Sequence, residues 1–405
     1  MAALARILIE TPMGWVWSMQ IWELGGILGI GWKARKRRRR MTSPTALKRI
    51  LFGLGALLVL ALVAAGCGGS SGGGGPKIAL LLPENETPRY ETNDRPDFEK
   101  AVEEQCEDCE VLYSNAGGDA EKQQSQAEAA LTQGAEVLVV DPQDSKSAAA
   151  IAEKAKAQGV PVVSYDRLIE NGEVDAYISF DNKKVGELQA ETLAKKLKED
   201  GSASGPIIMI NGDPADPNAA LFKEGAHTGF EAAGVDIAKE YDTPGWSAEN
   251  AQREAQQAIT ALGNNGFTGI YAANDETGGG AIAAMKGAGI KPEEKPVTGQ
   301  DATVAGLQRI LTGEQFMTVY KEIEPEATIT AEIAIALAEG EEVPQEEISE
   351  EVDNGKAKVP SVLLEPIAVT KDNVKSTVVA DGFVTAQELC TSAYQTACKE
   401  AGISG

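Results

Sequence analysis

The residues best suited to chemistry fall at the ends of short apolar runs. Val160–Ser164 leads into Tyr165-Asp166-Arg167, and Ala176–Phe180 leads into Asp181-Asn182. In open parallel sheets, ligands bind in the crevice beyond the carboxyl ends of the strands. A carboxylate that accepts hydrogen bonds beside a guanidinium that donates them suits a polyol, and neither group is tolerated dry without the other. The pattern recurs downstream. Pro206–Ile210 runs into the stretch Asn211–Ala219, which carries Asp216 and Asn218. Gly269–Ala273 runs into Asn274-Asp275, Pro296–Gly299 into Gln300-Asp301, and Phe316–Tyr320 into Lys321. One such residue alone is more often a turn or helix cap; several at equivalent places argue for a site. Their mixed signs suit a neutral, polyhydroxylated ligand better than a phosphate or an amino acid. Each hydroxyl left unpaired in a dry cleft would cost about 1–3 kcal/mol, which is how such a site selects.

The elements that must position these groups alternate. Strand-like runs are Ile78–Leu82, Val111–Tyr113, Val137–Val140, Val160–Ser164 and Ala176–Phe180. Between them Asp97–Gln105, Asp119–Gln133 and Ser145–Gln158 read as helices. This order predicts a parallel sheet covered by helices on both faces. Asp181 or Asn182 can cap the next helix, whose Val185, Leu188 and Leu193 lie near one face. A second α/β series follows. Its strands are Pro206–Ile210, Ile237–Tyr241, Gly269–Ala273, Pro296–Gly299 and Phe316–Tyr320, and its helices include Ala219–Ala233, Ala248–Leu262 and Gly278–Gly287. The expected fold is α/β, with two Rossmann-like lobes of parallel sheet facing a cleft. A chain of 405 residues is ample for two cores.

Tyr165-Asp166-Arg167, Tyr177–Asn182 and Lys184–Ala190 together resemble the D-xylose-binding proteins, periplasmic sugar-binding proteins that feed ABC transporters; the similarity runs through much of Lys77–Gly382. The resemblance implies the type I periplasmic-binding-protein fold, whose chain crosses between lobes three times. The crossings fall near Phe180–Asn182, Lys321–Glu324 and Leu364–Ile367. One lobe is then 77–181 with 323–365, and the other 182–322 with 366–405. The resemblance also implies a ligand set. Arg89 supplies a guanidinium and Tyr90 a stacking wall, with Arg95 as the competing guanidinium. Asp166 and Arg167 bind from the same lobe. Asn218 is a ligand with Asp216 in support, although either could cap its helix, and Pro217 stands where the family commonly has an amide. Trp246 packs on the apolar face of the sugar ring. Lys321 contacts sugar at a hinge. Asn274, which donates and accepts, and Asp301 complete the set. Asp141, followed by Pro142, reads as a turn residue.

The function implied is capture of D-xylose or a similar monosaccharide by lobe closure, then delivery to a membrane permease and its ATPase. The protein is expected to be a monomer and not an enzyme. Two other readings use the same pocket: a sensor presenting its closed form to a signalling receptor, and a carbohydrate-active enzyme. The chain has no Gly-x-Ser-x-Gly elbow after a strand-like run, and its single histidine, His227, has no evident nucleophile partner, though carboxylates alone support glycoside hydrolysis.

The formal charge of −24 is unevenly spread: residues 1–66 hold ten of the 37 basic residues and two of the 61 acidic ones. The acidic body repels nucleic acid and anionic lipid. Residues 1–40 fit poorly with the rest and are expected to be an extension ahead of a second start at Met41. Residues 41–66 then carry the basic and apolar regions of a signal peptide. Leu62–Cys67 resembles a bacterial lipobox, which implies lipidation of Cys67 and anchoring at the outer face of the membrane. The segment 67–76 is a Gly/Ser tether; it lacks the P-loop spacing. Four cysteines remain, and in an exported chain these are expected to pair as Cys106–Cys109 and Cys390–Cys398, each within one lobe. Glu104, Glu107, Asp108 and Glu110 surround the Cys-x-x-Cys and disfavour a reactive thiolate. No metal set and no cofactor are expected.

Overall fold

The computed structural model describes residues 75–404. The expectations for the 1–40 extension, the 41–66 signal peptide, Cys67 and most of the tether lie outside the described residues. The first sheet has seven strands: β1 (Lys77–Leu82), β2 (Glu110–Asn115), β3 (Val137–Val140), β4 (Val162–Tyr165), β5 (Ala176–Phe180), β10 (Glu350–Asp353) and β11 (Lys358–Leu364), in the order β10-β11-β5-β4-β3-β1-β2. All pairs are parallel except β10 with β11. Along β1, Ile78, Leu80 and Leu82 enter one core while Ala79 and Leu81 enter another. A sheet buried on both faces is why these strands are continuous apolar runs.

The second region has a three-stranded parallel sheet, β6 (Ile207–Ile210), β7 (Ile237–Tyr241) and β8 (Gly269–Ala272), ordered β7-β6-β8. Beside it β9 (Met317–Tyr320) pairs antiparallel with β12 (Ile367–Thr370). The chain passes between the two regions three times. From β5 it enters helix Asn182–Glu199, which packs on β8 and β9. From β9 it enters helix Ile323–Ala338, which packs on the first sheet and on helix Arg95–Gln105. From β11 it reaches β12.

Several local expectations are corrected. Pro296–Gly299 is not a strand; it makes one bridge, Ile270 with Val297. There the Thr298 hydroxyl takes over ladder bonding, accepting from Ala272 N and donating to Ala272 O, each at 2.9 Å. The helix read as Ser145–Gln158 is shorter, Ala149–Lys156, with turns before it. Helix Val304–Thr312 and the strands β10 to β12 were not among the expected elements. Both cysteine pairs, Cys106 with Cys109 and Cys390 with Cys398, are disulfide-bonded.

Helices Asn182–Glu199 and Pro217–Ala233 cross at a glycine contact. A Cβ on Gly186 would lie 1.9 Å from the Phe222 carbonyl oxygen, and one on Gly225 would lie 2.0 Å from that of Lys183. The helices must therefore part if either residue gains a methyl. Gly186→Ala is expected to destabilise the protein by about 1–3 kcal/mol, read as a lower urea midpoint; an unchanged midpoint would show that the contact is slack.

Candidate functional site

Asp166 follows β4 with φ of 51°, a left-handed conformation held by its own carbonyl. That oxygen accepts from Ser179 Oγ at 2.6 Å, Asn218 Nδ2 at 3.0 Å and the Tyr177 hydroxyl at 3.2 Å. The carboxylate thereby meets Lys321 Nζ at 3.2 Å, the Tyr90 hydroxyl at 3.2 Å and Arg89 Nη2 at 3.7 Å. Burial alone would raise the Asp166 pKa. Arg89, Lys321 and Arg167 together outweigh burial and hold it below the usual carboxylate range. Asp301 and Trp246 share the positive φ, at 86° and 53°. Backbone strain of this kind persists where surrounding contacts over-determine it, and it concentrates at ligand sites.

The two guanidiniums are held differently. Arg89 caps the short helical segment Tyr90–Asp94 that follows the loop after β1, and is 3% exposed. Its Nε and Nη2 donate to Asp94 at 3.0 and 2.6 Å, and Nη2 also reaches Glu326 at 3.3 Å. The Tyr165 hydroxyl donates to the same Asp94 at 2.7 Å. Arg95 points elsewhere: it is half-exposed, paired with Glu99 and stacked over Tyr113, so the guanidinium in the cleft is that of Arg89. Arg167 stands among Asp216 at 3.0 Å, Asp141 at 3.6 Å and Glu84 at 3.6 Å, and donates to the Tyr90 hydroxyl at 3.0 Å. Asp141 is thus more than a turn residue; it is a fully buried carboxyl facing Arg167. Burial pushes its pKa well up against the pull of Arg167, and does the same to Glu326 against Arg89.

The other wall comes from the second region. Asp216 caps helix Pro217–Ala233, accepting from Asn218 N at 2.8 Å. Pro217 occupies the first turn, where its missing N–H costs nothing. The Trp246 indole N–H donates to Asp216 at 3.1 Å, and its ring lies so close to Gly212 that a Cβ there would sit 2.0 Å from it. Asn274 caps helix Asp275–Gly287 through a reciprocal pair with Thr277, and its amide nitrogen donates to Glu276 at 3.1 Å. Gln189 braces this wall from behind. Its amide donates to the carbonyls of Ala272, Ala273 and Gly299, fixing the chain just before Asn274 and Gln300-Asp301.

Arg89, Tyr90, Asp166, Arg167, Asp216, Asn218, Trp246, Asn274, Asp301 and Lys321 all line one cavity. Thr87, Phe222 and Gln300 line it as well. Phe222 was findable, because it lies one helical turn from Asn218, and Gln300 adjoins Asp301. Asn218 Oδ1 and Gln300 Oε1 are buried there without a protein hydrogen-bond partner. The room left for the centre of a water-sized sphere is about 20 Å³, enough for about one water. Contacts such as Arg167 with Asp216 and Asn218 with Asp166 close the cleft directly, so a larger ligand enters only when the walls part and its own groups replace them. Burial also raises the Asp216 and Asp301 pKa values, opposed by Arg167 and Lys321 respectively. Carboxyls outnumber cations here, and burial favours the neutral form of Asp216 and Asp301 beside an Asp166 that its cations hold ionised. Among the described residues no cluster of His, Cys, Asp and Glu could hold a metal ion, and no helix is long and apolar enough to cross a membrane.

Comparison with known proteins places this geometry. The "Periplasmic binding protein domain" family matches residues 78–342. The D-xylose-binding periplasmic protein of Escherichia coli K12 is 37% identical over 317 residues, covering 77% of this chain and 92% of that one. A multiple sugar-binding periplasmic protein of Azospirillum brasilense is 31% identical over 76% of this chain and 90% of its own. Among solved structures, an ABC transporter solute-binding protein of Clostridium phytofermentans with bound β-D-glucose superposes with a TM-score of 0.71 at 28% identity, over 77% of this chain and 99% of that one. These relatives are binding proteins, not enzymes. The chain belongs to the periplasmic binding protein domain family and has its type I fold.

Proposed function

We propose that the protein captures a monosaccharide, D-xylose or a closely similar aldose, in the cavity around Asp166. The lobes, 77–181 with 323–365 and 182–322 with 366–405, close on the sugar through the three crossings. The closed monomer, exported and tethered through a lipid on Cys67, then delivers the sugar to an ABC permease and its ATPase. One observation carries the reading. Acceptors and donors from both sheets converge on one cavity whose lining includes the aromatic side chains of Tyr90, Phe222 and Trp246, as a ring with hydroxyls and apolar faces requires. The 37% identity to a protein named for D-xylose supports the choice of sugar.

Calorimetric titration with D-xylose, ribose, arabinose, glucose and galactose tests it. The expected result is tightest binding for D-xylose. Tight binding of another sugar alone would move the specificity and keep the role. No binding by folded protein to any of the five would overturn the sugar reading.

A further inference from the structure

Arg89 and Asp301 are shared between the inner cavity and a neighbouring one. Both residues also line a second chamber, about 410 Å³, on their far side. One wall of this chamber is the segment 88–93 after β1 and the opposite wall is 302–308, the loop and first turn of helix Val304–Thr312. Phe383 forms part of its lining and is held by Tyr320, ring centroids 4.9 Å apart. The partition between the chambers is thin. It is the pair of Arg89 Nη1 and Asp301 Oδ1, 4.0 Å apart and beyond hydrogen-bond reach, so a ligand that spans both chambers has only this long ion pair to part.

The chemistry of the outer chamber restricts what it takes. Among the described residues its only cation is Arg89, which is already engaged by Asp94 and Glu326. Glu276, Asp301 and Glu388 are its acids, and Glu388 is fixed by hydrogen bonds to Thr385. An anionic substituent, such as a phosphate or a uronate, would meet three carboxyl groups and one cation that is already engaged. A neutral substituent would find an aromatic face in Phe383 and amides in Asn93 and Gln308, the combination that suits a second sugar ring.

We propose that the protein also accepts a neutral glycoside of its aldose, with one ring in the inner cavity and a second glycosyl unit between 88–93 and 302–308. This rests on the sugar reading of the inner site. It makes the ligand class wider than free monosaccharides, while leaving phosphorylated and acidic sugars excluded.

The test is titration of the protein with D-xylose and with xylobiose, whose two rings offer a free unit substituted at either end; cellobiose replaces xylobiose if glucose proves to be the inner sugar. The disaccharide is expected to bind within about tenfold of the monosaccharide and to compete with it. Ala305→Trp, which narrows the outer chamber alone, is expected to weaken the disaccharide at least tenfold and leave the monosaccharide unchanged. Thr92→Trp repeats the test from the opposite wall if Ala305→Trp lowers the melting temperature or monosaccharide binding. Tight monosaccharide binding without competition by the disaccharide overturns this inference and spares the sugar reading. Disaccharide binding untouched by both tryptophans, in folded protein, overturns the chamber's role. Binding of neither sugar removes the inner-site reading itself.

Discussion

Asp166→Asn is expected to lower sugar affinity by about two to three orders of magnitude while the protein stays folded. Asparagine keeps the shape and tolerates the φ of 51° at this position, so the substitution isolates the charge. Asp166 is the carboxylate on which Lys321, Arg89 and the Tyr90 hydroxyl converge. In the proposed complex this anion would accept from two sugar hydroxyls at once. A hydrogen bond to a charged group is worth about 1.5–3 kcal/mol, so weakening two of them loses roughly 3–4 kcal/mol, or two to three decades of Kd. The carbonyl contacts from Ser179, Tyr177 and Asn218 stay, which is why the fold should survive. The effect on stability has a definite sign with pH. The folded pKa of Asp166 lies below its unfolded value, so its contribution is present above the unfolded pKa of about 3.9 and fades as pH falls through the folded pKa. The stability gap between wild type and Asp166→Asn should therefore shrink below about pH 4. Titration calorimetry at neutral pH decides the main point: affinity within tenfold of wild type would remove Asp166 from the site.

The same residue shows what the sequence makes visible. Asp166, Asn218, Asn274, Asp301 and Lys321 could be picked out because each follows an apolar run, and the cleft of an open sheet lies beyond strand ends. Parallel strands buried on both faces leave a continuous apolar signature, as β1, β3 and β6 do. What stayed hidden are groups that act through another residue. Glu326 lies on a helix, Ile323–Ala338, among Ala and Ile, and only the return of that helix to the first sheet sets it against Arg89. Asp94 looked like any charge in an acidic loop until the turn after β1 folded it under Arg89. Thr298 and Gln189 replace backbone ladder bonds with side-chain bonds, and a pattern rule that counts apolar residues reads that place as a strand. The choice between Arg89 and Arg95 was likewise decided by burial, since both are arginines in one loop.

Arg167→Met should reach further into the fold than into the ligand. The guanidinium is 1% exposed and answers Asp216, Asp141 and Glu84 together. Methionine fills similar volume and removes the charge, leaving three buried carboxyls without it. Breaking one side of a buried ion pair typically costs about 3–5 kcal/mol, which for a protein of this size corresponds to a drop in Tm of roughly 4–7 °C. The pH dependence distinguishes this cause from simple loss of packing. Burial already raises the pKa of Asp141, Asp216 and Glu84, with Arg167 opposing it in each; without Arg167 all three rise further. A carboxyl whose folded pKa lies above its unfolded value contributes fully below the unfolded pKa, and that contribution is lost as pH rises through the folded pKa. The deficit of Arg167→Met should therefore be larger at pH 8 than at pH 5, because the loss of a counter-charge is felt more as the carboxyls ionise. Thermal melts of wild type and variant across that range measure it. A deficit independent of pH would assign the role of Arg167 to packing, and one below about 1 kcal/mol, the level of an exposed pair, would mean that the three carboxyls are neutral at working pH and that Arg167 serves the ligand alone.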